Sequence, residues 1–97
     1  MKDLKILCVC RAGAVRSVAT KNELNRRGYH NVIAVGGLVL TPETLNMLCK
    51  WADMILLAKP RHGKYIEKRY REKIEIEFNI GDDLGGVVKK QLNKLGL

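Results

Sequence analysis

Apolar residues in this chain fall in short, unbroken runs set between longer stretches of helix-forming and charged residues. Lys5 to Cys10, KILCVC, is too short for a buried helix. Its continuous apolar character, with valine and isoleucine among its residues, predicts a strand covered on both faces, as in a parallel sheet. The run stops at Arg11, and RAGAVRS gives way to VATKNELNRR, a helix-forming stretch closed by Gly28, a suitable C-cap. A second β-branched run, Asn31 to Gly36, precedes Thr41-Pro42, which has the signature of an N-cap and first helical residue. Leu45, Leu48 and Cys49 then supply an apolar helical stripe. MILLA, after Asp53, predicts a third buried strand, stopped by Lys59-Pro60. Arg61 to Tyr70 predicts a charged helix with Ile66 and Tyr70 on one face. EIEFNI, Glu75 to Ile80, alternates charged and apolar residues as a strand at a sheet edge does. Leu84 to Leu95 completes the pattern as an amphipathic helix.

Strand and helix therefore alternate through the chain. This predicts an α/β, doubly wound fold: a small four-stranded parallel sheet flanked by helices on both faces. A length of 97 residues leaves room for one such domain over 1–97. In folds of this kind ligands sit beyond the carboxyl ends of the strands, which directs attention to Cys10–Ser17 and to 81–86.

Composition narrows the function classes. With 46% apolar and 29% charged residues the chain is expected to be globular and soluble rather than disordered. No apolar run approaches the roughly 18 residues of a membrane span, so no membrane partner is expected. The start is too charged for a secretory leader, and three cysteines, an odd number, point to reduced thiols and a cytoplasmic setting. A net charge of +8 favours anionic partners without choosing among them.

The first loop carries the chemistry. Cys10-Arg11-Ala12-Gly13-Ala14-Val15-Arg16-Ser17 joins a buried strand to a helix. Successive backbone N–H groups in a tight loop entering a helix cradle a tetrahedral oxyanion, and the same field stabilises a thiolate at the loop's start. Cys10 is thus the candidate nucleophile, and the planar fork of Arg16 the candidate phosphate ligand. Ser17 can donate to the sulfur, and Arg11 through Val15 contribute the cradle. The spacing alone is weak evidence; its placement between strand and helix is what raises it. The competing reading makes Cys10 a small core residue and Arg16 a solvated one.

These residues resemble the low-molecular-weight protein tyrosine phosphatase family, most closely its short relatives. The likeness extends from CRAGAVRS through WADMILLAKPRH to IGDDLGG. It implies a low-molecular-weight phosphatase-like fold and a cysteine-dependent hydrolase acting through a cysteinyl-phosphate, with no metal and no cofactor. It also implies that Asp82, in the acid loop after the last strand, is the general acid and base, with Asp83 where proline is usual. Read without the family, that turn is a helix cap. Departures from the pattern are Ala14 beside the loop glycine in place of asparagine, Val18 in place of proline, and Leu84 and Gly85 where aromatic residues are common. The implied substrate is a phosphorylated protein or a small phosphomonoester, with phosphate or another oxyanion in the loop.

Three other classes compete. A phosphocysteine carrier resembling the B component of sugar phosphotransferase systems has a similar size and cysteine position but needs neither Arg16 nor Asp82. An arsenate reductase of this fold would need resolving cysteines that Cys49 alone does not supply. A weakly active anion- or nucleic-acid-binding module is suggested by residues 59–73, with seven basic and two acidic residues plus Tyr65 and Tyr70. A solvated helix face is the preferred reading there, and nucleic acid the less favoured partner. Cys8, two positions from Cys10 on the same strand face, and Cys49 are expected in the core, as is Trp51. His30 and His62 lack ligand spacing to the cysteines, so no zinc site is expected.

Overall fold

The computed structural model describes residues 3–11, 15–77 and 84–97. In chain order these form β1 (Ile6–Cys10), α1 (Val15–Arg26), β2 (Val32–Gly36), α2 (Pro42–Trp51), β3 (Met54–Leu57), two 3-10 helices (Pro60–Tyr65 and Lys68–Lys73), β4 (Ile74–Glu77) and α3 (Leu84–Leu95). The strands form one sheet in the order β2-β1-β3-β4, every neighbouring pair parallel. The chain is α/β, as its apolar runs predict. Among the described residues, no helix is long and apolar enough to cross a membrane.

Alternation along β1 divides the core in two. Ile6, Cys8 and Cys10 face α1 and α3, packing with Leu24, Tyr29, Val88 and Leu92. Leu7 and Val9 face the other way, toward Leu45 and Cys49 of α2 and toward Ile66. All five β1 residues are buried, which is why the run shows no polar alternation. β4 lies at the sheet edge, and its exposed Glu75 sits where the β3 register shifts between Ile55 and Leu56.

Local chemistry closes the helices. Thr41 Oγ1 accepts from the Thr44 N–H at 3.2 Å and Pro42 opens α2. Gly28 ends α1 with φ +97°, allowing Tyr29 N–H to reach back to Leu24 C=O at 2.9 Å, with both side chains in the core. The far end of α2 is closed from a distance. Lys73 Nζ donates to the carbonyls of Cys49, Lys50 and Ala52 at 2.9, 3.1 and 2.8 Å, meeting the negative end of the helix dipole.

Two expectations need correction. The helix α1 begins at Val15, three residues before the predicted start, so Arg16 and Ser17 lie in its first turn. The charged α-helix expected over Arg61 to Tyr70 is instead a pair of 3-10 helices, with Glu67 extended between them. Polar contacts outside an α-helical ladder hold this segment. Lys59 N–H donates to His62 Nδ1 at 3.2 Å, Arg71 Nε donates to Ile66 C=O at 3.0 Å, and Lys73 reaches α2. A continuous helix would lose these bonds. The last strand is described only to Glu77, so the predicted extension through 78–80 lies outside the described residues.

Candidate active site

The strand order reverses at β1, which has β2 on one side and β3 on the other, so the crevice beyond its carboxyl end is the switch point of the sheet. Cys10 is the last residue of that strand. The backbone there is held from both neighbours. Ala58 N–H donates to Val9 C=O at 2.9 Å, Gly37 N–H to Cys10 C=O at 2.8 Å, and Leu38 N–H to Arg11 C=O at 2.7 Å. A nucleophile mounted here cannot drift with a loose loop.

Cys10 and Ser17 meet, as the loop reading requires. Cys10 Sγ lies 3.3 Å from Ser17 Oγ, with both residues buried. Ser17 Oγ also lies 3.3 Å from the Val35 carbonyl, to which it can donate. A hydroxyl has one hydrogen and two lone pairs. With a thiol, the S–H donates to Ser17 Oγ and Ser17 donates onward to Val35. With a thiolate, the serine hydrogen turns to the sulfur. One residue thereby serves both protonation states. Arg16 follows in the same turn, its C=O accepting from Thr20 Oγ1 at 3.1 Å. Its Nε is buried without a hydrogen-bond partner among the described residues. Arg11 is exposed, and Val15 opens α1. Ala12, Gly13 and Ala14 lie outside the described residues, as do Asp82 and Asp83.

The other two thiols, Cys8 and Cys49, are buried in the core. Burial pushes Cys8 up to about 12, outweighing the opposite effect of Lys21. Burial pushes Cys49 up to about 11 despite Lys73. Both therefore remain protonated core residues at neutral pH.

Sequence reasoning missed three contributors. Leu38 and Val39, 54% and 66% exposed, are apolar residues on the segment bonded to Arg11. His62 is the third: it is 1% exposed, and because Nδ1 accepts the Lys59 N–H, its ring proton sits on Nε2. That Nε2 has no partner among the described residues. Burial, then the charges of Arg61, Arg16, Lys59 and Lys64, lower its pKa and keep the ring neutral. Only the Pro60 helix start signalled a turn there. Tyr65 stacks on the His62 ring at 6.1 Å between centroids and packs so closely on Gly37 that a Cβ there would stand 2.6 Å from Tyr65 Cδ2. No cluster of three metal-ligating side chains occurs among the described residues.

Comparison with protein-family models, with curated proteins and with solved structures finds no match to this chain.

Proposed function

We propose that the chain is a phosphomonoester hydrolase of the cysteinyl-phosphate type, similar to the low-molecular-weight protein tyrosine phosphatases in fold and mechanism. The observation that carries this reading is the Cys10–Ser17 pair. A cysteine at the carboxyl end of the central strand lies 3.3 Å from a serine in the following helix's first turn, with Arg16 between them in sequence and a buried, unpartnered Nε on that arginine among the described residues.

In this mechanism the Cys10 sulfur attacks phosphorus, forming an S–P bond as the P–O bond to the leaving group breaks. Asp82, as the acid, gives its proton to the departing oxygen. Water then attacks phosphorus, the S–P bond breaks, and Asp82 takes the water's proton. Arg16 and the backbone N–H groups hold the phosphoryl oxygens, and the Ser17 hydrogen stabilises the sulfur as it leaves. The reaction calls for no metal or cofactor. The exposed Leu38 and Val39, on the segment bonded to Arg11, offer apolar surface for an aryl phosphate, which supports a phosphotyrosine-like substrate alongside small phosphomonoesters.

Steady-state hydrolysis of para-nitrophenyl phosphate, with chelator present and thiols reduced, tests the reading. Cys10→Ser is expected to abolish turnover, and Asp82→Asn to reduce it strongly. Arg16→Lys should cost about 10²- to 10³-fold in kcat, because an ammonium cannot replace the bidentate fork. Absence of turnover in the wild type, with a stable phosphothiol formed instead, would overturn hydrolysis in favour of a phosphocysteine carrier. Salt-sensitive RNA binding that survives Cys10→Ala, without turnover, would favour a binding module.

A further inference from the structure

A cavity of about 200 Å³ is lined by Arg11, the residue after Cys10, and by Arg61, His62, Lys64 and Tyr65. Its described lining holds three permanent cations and no carboxylate. None of the ion pairs among the described residues involves Arg11, Arg61 or Lys64. Three cations without an ion-pair partner among the described residues, Lys64 resting over the Tyr65 ring, surround one small cavity and repel one another, and a bound anion relieves that repulsion. His62 adds a neutral ring whose Nε2–H is a buried donor without a partner among the described residues. A buried donor left unsatisfied costs free energy that an incoming oxyanion recovers.

We propose that this cavity is a second phosphate site, holding one phosphate of a substrate whose other phosphate enters the Cys10 loop. Arg11 joins the two, being next to Cys10 in the chain and part of the cavity wall. Arg16 is also close enough to His62 for its charge to be felt there. The excess of three cations over no described carboxylate fits a dianionic phosphate better than a single carboxylate. The substrate class is therefore a molecule with two phosphates, either a small bisphosphate or a doubly phosphorylated peptide. Its use in turnover rests on the phosphatase reading; the binding of phosphate does not.

Titration of the full chain with inorganic phosphate, followed by NMR of the His62 ring and of the backbone amides, separates the two sites. The Arg16→Ala protein is expected to lose the shifts at Ser17 and keep those at His62 and Tyr65. The Arg61→Ala/Lys64→Ala protein is expected to show the reverse. Phosphate that leaves the His62 and Tyr65 signals unmoved would overturn the proposal. In turnover, the double variant, which removes two of the three cations, should lose kcat/KM at least about tenfold more on a two-phosphate substrate than on para-nitrophenyl phosphate, the size of at least one lost charge-assisted contact. Equal losses on both would overturn the shared-substrate role. Fructose 1,6-bisphosphate and a peptide with two phosphotyrosines, each against its singly phosphorylated counterpart, tell the small-molecule source from the peptide. A wild type that turns over nothing yet shows the His62 shift would uphold the phosphate site and overturn the hydrolase reading alone.

Discussion

Two segments leave the carboxyl ends of buried neighbouring strands and come together at the same place, yet they are built on different rules. The one after β1 passes from Cys10 into an ordinary α-helix, and its key contact spans seven residues, from Cys10 Sγ to Ser17 Oγ. The one after β3 folds into two 3-10 helices whose important contacts lie far away in the chain: Tyr65 on Gly37, and Lys73 on the end of α2. The first segment's contact is local and falls within a short motif. Of the second segment's basic residues Arg61, Lys64, Lys68, Arg69 and Arg71 are exposed, as a solvated face would be, while Lys73 is carried onto α2. Charge in a run says little about its role; the partner that each cation finds, or lacks, decides it.

The contact between the two segments gives the largest expected effect on stability. Gly37 donates to Cys10 C=O and lies under the Tyr65 ring, so it couples the first segment to the second. Alanine at this position would place its Cβ within 2.6 Å of the ring, and the aromatic side chain must move. Overpacking of this kind costs about 1 to 3 kcal/mol. Gly37→Ala should therefore lower stability in urea denaturation by that amount and disturb the Ser17 amide in NMR. Stability and Ser17 signals both matching wild type would break the link between the segments.

A smaller effect is expected within the second segment alone. Lys73→Met keeps the aliphatic stem but removes the ammonium that serves two carbonyls of α2 and that of Ala52 just beyond it. Those carbonyls are partly accessible to water, so the loss should be about 1 to 2 kcal/mol rather than the sum of three bonds. Calorimetry of the variant checks this, and an unchanged Tm would show that the α2 end is satisfied without it. The same residue explains much of what was legible in the sequence and what was not. The start of α2 could be read from Thr41-Pro42, because an N-cap acts on its own next turn. Its end could not, because the capping group arrives from more than twenty residues away. In the same way KILCVC announces a doubly covered strand, and the Cys10 and Ser17 that meet lie within one short motif. The burial of His62 depends on tertiary neighbours that no local pattern encodes. The predicted helix over Arg61 to Tyr70 fails on local and distant partners together: Ile66 and Tyr70 have helical spacing, but Lys59, His62 and Arg71 bond within 3-10 turns while Tyr65 packs on Gly37.

The smallest effect concerns pH. In the folded protein burial, then the charges of Arg61, Arg16, Lys59 and Lys64, hold the His62 imidazole below its ordinary 6.5. In the unfolded chain the ring takes up its proton near that ordinary value. Between the folded and unfolded values the unfolded state therefore binds more protons, and stability rises with pH. The contribution of neutral His62 is thus present above the ordinary value and is lost as the solution is acidified through it. His62→Asn removes the titrating ring while leaving a side-chain oxygen that can accept the Lys59 N–H. The wild type should lose more Tm than this variant on going from about pH 7.5 to about pH 5.5, the range in which an unfolded histidine becomes charged. The exposed His30 is common to both proteins and cancels in the difference. Equal acid sensitivity would mean that the second segment opens enough to solvate the ring. Its four surrounding cations would then belong to a hydrated surface rather than to a built site, and the contrast with the closely bonded first segment would widen accordingly.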